Sequence, residues 1–432
     1  MHFARWAGYN FRVDEDYGTF KDCFRAPVHR WFKYPAGYSF RLVQEKIREY
    51  SLGSGDLVLD PFVGSGTTLI EAMKARVPSV GVENHPFVAW VARVKTRWDI
   101  DPRAVKVLGD ELLAGLGSRE EDPDSLPELV KKCYSPENLG RLLAIRDAIE
   151  ASDWPEAIKD FMSLALVDTL RAVSSAGTGW PYIAPSEYHR KTSEREAIPE
   201  FKRALYGMIA DLEMVKSVYP DPARAQVLQQ DARSMDEIES GSVRLAITSP
   251  PYLNNYDYAD RTRLEMYFMG WASSWAEITE KVRERLIVAA TTQVRRSDFD
   301  PARALSEEVR DASPEAYGYL SDAIARLREI RLQRAGKKSY DLMVAGYFND
   351  MVKVLKEVRR CLKPGGHFLL VVGDSAPYGV HIPTDELIAK IGLGVGFREY
   401  GIEVLRKRGE KWKNNPQRHR VPLRESVITL RK

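Results

Sequence analysis

Asp56-Leu-Val-Leu-Asp60-Pro-Phe-Val-Gly64-Ser-Gly66-Thr-Thr-Leu-Ile-Glu-Ala-Met-Lys74 begins as a short apolar run ending in an acid, turns on two glycines and continues with helix-forming residues. Ser79-Val-Gly-Val-Glu83 follows as a second apolar run ending in an acid. Strand, glycine turn, helix and strand make a βαβ unit. Glycines at the turn permit positive φ and let a ligand approach the backbone. The helix behind them offers free N–H groups to an anionic group. Glu83, at the end of the second strand, stands where an acid grips ribose hydroxyls in nucleotide-binding βαβ units. A phosphate-cradling loop would need a lysine after Gly66, and a dinucleotide fingerprint would need a third glycine. The sequence has neither. A purely structural turn stays open at this point.

Working outward, Ala225-Gln-Val-Leu-Gln229 reads as a third strand, with Asp231 and Ala232 just beyond it, and Val243–Thr248 as a fourth. A helix from about Tyr347 to Cys361 is closed by Lys363-Pro-Gly-Gly366, and His367–Val372 reads as a fifth strand. The alternation predicts an α/β fold with a doubly wound, mostly parallel, Rossmann-like sheet. Residues 101–224 look mainly helical, with Leu139–Ile149 and Ile158–Val173 as amphipathic stretches, and are too long for a connection between adjacent strands. They read as one insertion, and 272–343, rich in Arg and Glu, as another. The expected organisation is therefore 1–100 and 225–271 as core, 344–432 as its C-terminal part, and two inserted segments. Either insertion suits substrate recognition, structural bracing or a dimer interface.

The chain of 432 residues carries 44% hydrophobic and 29% charged residues and a net charge of +3. No apolar run is long enough to span a bilayer, and the N-terminus lacks a signal-peptide stretch. Cys23, Cys133 and Cys361 are far apart, which excludes a disulfide framework and a zinc knuckle and fits a reducing cytoplasm. The expectation is a cytoplasmic protein with no membrane segment and no metal. A basic cluster at 331–338 and a basic stretch from Arg406 to Arg420, including Lys411, Lys413, Arg418 and Arg420, suit phosphate contacts or simply a solvated face.

The fourth strand runs into Ser249-Pro-Pro-Tyr252. Two prolines stiffen the turn and remove donors. Ser249 and the Pro250 carbonyl offer two acceptors, Pro251 fixes the turn, and Tyr252 offers an aromatic face. That set suits an exocyclic amino group on a flipped-out base. Acceptors that draw the amino hydrogens from the ring plane restore the nitrogen lone pair. A thiolate mechanism at cytosine carbon 5 needs a cysteine, typically after a proline, and none of the three follows one.

With these motifs on one chain, the sequence resembles the DNA amino-methyltransferases, the N4-cytosine and N6-adenine enzymes of restriction-modification systems. Asp60-Pro61-Phe62-Val-Gly64-Ser65-Gly66-Thr67-Thr68 is similar to the family's cofactor motif, and Ser249–Tyr252 to its catalytic motif. The resemblance implies S-adenosyl-L-methionine as cofactor. It implies Glu83 and neighbouring Asn84 at the ribose, Asp231 and Ala232 at the adenine, and Tyr34 and Pro35, within His29–Tyr38, over the methionine end. Lys363–Gly366 and Val372-Gly-Asp-Ser375 are similar to its later strand. Serine at the head of the catalytic motif implies cytosine N4, with adenine N6 as the alternative. An RNA amino-methyltransferase and a silent DNA-binding subunit are more distant readings.

The partners implied are double-stranded DNA and a cognate restriction endonuclease, with monomer and homodimer both open. Asn254, Asn255, Tyr256, Arg261 and Arg263 follow the catalytic motif directly, and their position suggests contact with the flipped nucleotide and its phosphates. The other reading is a polar loop capping the next helix. The cofactor half precedes the catalytic half here, whereas many relatives with this motif have the reverse order. The two insertions are therefore the candidates for reading the target, with 272–343 favoured because it starts beside the catalytic strand and carries Arg295, Arg296, Arg331, Arg334, Lys337 and Lys338.

Overall fold

A computed structural model describes residues 5–6, 9–11, 17–34, 37–116, 126–176, 195–298, 300, 303–334, 338–408 and 421–432. Its strands are β1 (Arg5–Trp6), β2 (Tyr9–Phe11), β3 (Val58–Asp60), β4 (Ser79–Val82), β5 (Ala225–Leu228), β6 (Val243–Thr248), β7 (Leu362–Gly373), β8 (Glu399–Arg408) and β9 (Leu423–Arg431). The helices of the first half are α1 (Phe40–Glu49), α2 (Thr67–Lys74), α3 (Pro86–Lys95), α4 (Pro102–Gly115), α5 (Glu128–Cys133), α6 (Pro136–Glu150), α7 (Glu156–Val173) and α8 (Ala197–Val218). Those of the second half are α9 (Tyr258–Arg261), α10 (Arg263–Phe268), α11 (Trp275–Ile278), α12 (Glu307–Ala312), α13 (Pro314–Gln333), α14 (Tyr340–Cys361) and α15 (Thr384–Val395).

The strands form one mixed sheet in the order β1-β2-β8-β9-β7-β6-β3-β4-β5. β7, β6, β3, β4 and β5 are mutually parallel, and β9 runs antiparallel between β7 and β8. Side chains alternate across it as a period of two requires. Leu245, Ile247, Leu369, Val371 and Val427 pack with Leu42, Val43 and Ile47 of α1. Ala246, Phe368, Leu370, Val372 and Ile428 pack on the other face with α14 and α15. Helices thus cover both faces, which is the doubly wound α/β arrangement. The chain moves from β3 to β4 and β5 on one side, then returns to β6 on the other. The carboxyl ends of β3 and β6 therefore flank the switch point where such sheets bind ligands.

The described residues between β4 and β5 build a helical bundle. Proline at the first position starts α3, α4 and α6, and the Asp101 and Ser135 side chains cap the last two. α7 is not a one-faced amphipathic helix. Phe161, Met162 and the run Leu164–Val167 are buried together, because α3, α6 and α8 all pack around it. The bundle core continues into Trp31, Phe32, Tyr34, Leu264 and Phe268, so it also supports the N-terminal segment and α10.

Two expectations need correction. Lys363–Gly366 does not separate helix from strand, because β7 begins at Leu362 and the glycines bulge within it. Val243 pairs with Leu362 but Leu245 with His367, and Gly365, at φ +74°, takes up the excess chain. In 272–343, α13 packs on α14 through Leu320, Ala323 and Leu327, so much of that segment belongs to the core.

Candidate active site

A cavity of about 800 Å³ lies at the switch point. Pro61, Phe62, Val63, Gly64, Ser65 and Thr67 form one wall and Ser249 and Pro251 another. Glu83, Asn84, His85, Asp231 and Ala232 line the side toward β4 and β5, and Tyr34 and Tyr38 close over from the N-terminal segment. The cofactor-type turn and the Ser-Pro-Pro-Tyr turn meet because β3 and β6 pair in parallel, Val58 opposite Leu245.

Gly64 sits at φ +52° and Gly66 at φ +91°. A side chain at Gly64 would lie 3.5 Å from the Tyr34 ring, in the space a ligand would use. The Gly64 N–H donates to Glu83 Oε2 at 3.2 Å, and the His85 N–H to Oε1 at 2.9 Å. Burial pushes the Glu83 carboxyl up to about 7. Glu83 therefore pins the glycine turn and keeps lone pairs for further donors. Asn84 Nδ2 donates to Asp231 Oδ2 at 3.3 Å and to the Arg285 carbonyl at 2.7 Å.

Asp60, Gly66 and Thr68 do not line the cavity. Asp60 is 1% exposed and accepts from Thr68 Oγ1 at 2.5 Å, Thr248 Oγ1 at 2.6 Å, the Phe62 N–H at 3.1 Å and Tyr38 Oη at 3.2 Å. These four donors occupy it, so its role is to lock the ends of β3 and β6 and the Tyr38 segment together. Burial still raises it to about 6. Gly66 faces Ala92 of α3 rather than the cavity. Asp231 does line the cavity, but Arg233 already grips its carboxylate, at 2.6 Å from Nη2. Pro35 lies outside the described residues.

On the Ser-Pro-Pro-Tyr turn, Pro250 is buried while Ser249 and Pro251 face the cavity. Tyr252 Oη donates to Glu425 Oε1 at 2.8 Å, and Ser249 hydrogen-bonds the same phenol. Burial and the Glu425 charge raise the phenol well above its ordinary value. The Arg408 guanidinium stands 5.2 Å from the Tyr252 ring centre.

The residues after the turn mostly serve the fold. Asn254, at φ +60°, is exposed and donates its N–H to the Ala289 carbonyl at 2.8 Å. Asn255 hydrogen-bonds Tyr258, and Tyr256 packs edge-on to Tyr258. Asp257 caps α9, as the local-capping reading requires. Arg261 is not placed for phosphate contact: it is 7% exposed and directed at Glu265 and the Lys33 carbonyl. Arg263 and Arg283 both stand over the Trp275 ring, 4.8 and 4.2 Å from its centre. In the second insertion the half-buried Arg331 pairs with buried Asp341 at 2.9 Å, and Arg296 bonds Ser339. Lys337, Lys411, Lys413, Arg418 and Arg420 fall outside the described residues.

Sequence reasoning missed Tyr258, His85 and Arg285–Ile287, which line the cavity, and Glu425 and Arg408, which hold Tyr252. His85 neighbours the expected acid. The others arrive through tertiary contacts and carry no local signal.

Comparisons with known proteins agree with this geometry. A family model described as DNA methylase matches residues 6–92. The type II methyltransferase M.BsoBI of Geobacillus stearothermophilus is 25% identical over 94% of this chain and 86% of its own. M.AvaI of Nostoc sp., also a type II methyltransferase, is 24% identical over the same shares. M.MvaI of Kocuria varians is 21% identical over 88% of this chain and 82% of its own. With its α/β sheet, its cavity at the switch point and relatives aligned along nearly its whole length, the chain is similar to the DNA amino-methyltransferases.

Proposed function

We propose that the protein transfers a methyl group from S-adenosylmethionine to the N4 amino group of a cytosine in duplex DNA. One observation carries the reading: the glycine turn with Glu83 and the Ser249–Tyr252 turn open into the same cavity. The residues present fit the cofactor. Gly64 leaves the space that a side chain would fill against Tyr34, and Glu83 offers carboxylate lone pairs at the cavity wall. Glu83 and Asn84 would hold the ribose, Asp231 and Ala232 the adenine end, and Tyr34 and Tyr38 the methionine end. When bound, the cofactor supplies an electrophilic sulfonium methyl.

The chain's own groups prepare the nucleophile. Ser249 Oγ and the Pro250 carbonyl accept the two amino hydrogens and draw them from the base plane. The lone pair then leaves conjugation and points along the line of attack, so proximity and orientation supply most of the acceleration. Tyr252, held by Glu425, stacks on the flipped base. No covalent bond between enzyme and base is needed. Serine at position 249 supports cytosine through the resemblance of the motif.

Segment 272–343 is the candidate reader of neighbouring bases, since a pocket for one flipped base cannot read beyond it. The bundle within 101–224 braces it. Replacing Arg295, Arg334 and Lys338 with alanine should change the methylated motif; the same motif at reduced yield would place specificity elsewhere.

The deciding experiment is methylation of duplex DNA with isotopically labelled S-adenosylmethionine, digestion to nucleosides and mass spectrometry. N4-methylcytosine is expected. N6-methyladenine would overturn the base assignment, and unlabelled DNA the whole reading.

A further inference from the structure

The Tyr252 ring already has a cation over one of its faces. The Arg408 guanidinium stands 5.2 Å from the Tyr252 ring centre, and its Nη1 donates to the Asp374 carbonyl at 3.2 Å. Space for this arrangement depends on Gly373, the last residue of β7. A Cβ there would lie 2.1 Å from Arg408 Nη1 and 3.1 Å from Tyr252 Cδ2. The ring cannot turn to offer another surface. Its hydroxyl is held by Glu425, and its body packs on the core that includes Leu405 and Val427.

A guanidinium is flat, delocalised and cationic, and it binds the face of an aromatic ring as a nucleobase does. Two such groups cannot share one face. We infer that Arg408 is a placeholder for the target base, stacked on Tyr252 while no base is present and expelled when one flips in. This rests on the base-methylation reading above. Arg408 is then a positioning residue that sets how favourable capture must be: a base has to outcompete the cation as well as leave its pair. Without it, Tyr252 would bind any unpaired base that drifts near.

The test places 2-aminopurine at the target position of a duplex whose site has been mapped by methylation. Fluorescence is read at saturating full-length protein, so that weaker backbone affinity drops out. Tyr252 is common to the proteins compared, so quenching by it is equal for each flipped molecule. Arg408→Ala should raise the flipped-to-stacked ratio by roughly threefold to thirtyfold, the span of cation–π strengths. Arg408→Gln, which keeps a donor for the Asp374 carbonyl but loses the charge, should raise it as well. Unchanged S-adenosylmethionine affinity confirms that both variants are folded. A ratio that stays level or falls in both Arg408 variants overturns the placeholder. Because the duplex is chosen only after wild-type methylation is seen, that result would leave the enzymatic reading standing.

Discussion

Arg171 of α7 holds the buried carboxylate of Glu265 on α10 with two nitrogens, Nη2 to Oε2 at 3.0 Å and Nε to Oε1. The same Nη2 donates to the Arg261 carbonyl at 2.5 Å. The bundle is thereby bolted to the helices that follow the Ser249–Tyr252 turn. Removing one partner of a buried pair strands the other charge. Arg171→Ala should cost about 3 kcal/mol of unfolding free energy, the lower end of the range for buried pairs because Arg261 remains 3.7 Å from Glu265. Denaturant titration measures it. The double variant Arg171→Met, Glu265→Met should recover part of the loss, and a cost no larger than a surface pair's would show the bolt to be dispensable.

Asp60 separates a locking role from ligand contact. Asp60→Asn keeps one acceptor oxygen for the threonines and should leave cofactor affinity within roughly tenfold of wild type, the scale of one hydrogen bond. Asp60→Ala empties the hub between Thr68 and Thr248 and should abolish binding. Calorimetry decides: equal, severe losses in both variants would mean that the charge itself meets the ligand.

Cofactor affinity should depend on pH through Glu83. Its carboxyl, raised to about 7 by burial, is ionised only above that pH in the free protein. Ribose hydroxyls donate to the ionised form, so affinity should be level above about pH 7 and weaken below it by up to roughly tenfold per unit. Folding stability runs the other way. A raised acid favours the fold below its ordinary value of 4.5 and loses that contribution as the pH climbs toward about 7. Calorimetry from pH 5.5 to 8.5 should show the affinity slope in the wild type and a flatter one in Glu83→Gln. Parallel slopes would assign the titration to another group, such as Asp60.

Tyr252 can be dissected by its two ends. Tyr252→Phe loses the hydroxyl's bonds to Glu425 and Ser249 but keeps the ring, and should lower kcat by roughly fivefold. Tyr252→Ala loses the stacking face and should lower it by roughly tenfold to a hundredfold, with cofactor affinity intact. Equal kcat in the two variants would refute base stacking.

The N-terminal segment that closes the cavity is tied down far from it. Asp211 of α8 accepts from the Val28 N–H at 3.1 Å, from Arg30 Nε at 2.8 Å and from Trp31 Nε1 at 3.0 Å, and this network holds Val28 at φ +67°. Asp211→Ala should speed hydrogen exchange over residues 28–34 and weaken cofactor binding by raising its KM rather than lowering kcat. Unaltered exchange there would show that the segment is held by packing alone.

What could be read in the sequence was local. Strand, glycine turn, helix and Glu83 are contiguous, so periodicity and turn chemistry located them, and Val243–Thr248 ran visibly into its prolines. What could not be read depends on which distant groups fill which lone pairs. Asp60 looks like a ligand contact because it ends a strand beside a glycine turn. Only the fold shows that Thr248, 188 positions away, already donates to it. Arg261 and Arg331 look like phosphate contacts because they are arginines near the right place. Glu265 and Asp341 turn them inward. β8 and β9 escaped notice because Glu and Arg alternate with their apolar residues, and pairing rather than composition makes them strands.

The antiparallel seat of β9 between β7 and β8 has a consequence for how the molecule comes into being. Glu425, which holds Tyr252, rides on β9, and β8 reaches β7 only through it. Every earlier strand of the parallel core can pair as it leaves the ribosome, since domains condense from the N-terminal side during synthesis. The hydroxyl of Tyr252 finds its anchor only when residues 423–431 have been translated and threaded between two waiting neighbours. A nascent chain stalled before that point can carry a complete glycine turn and Glu83, yet it lacks the carboxylate that holds the Tyr252 hydroxyl. The anchor of Tyr252 is thus withheld until β9 itself has been made.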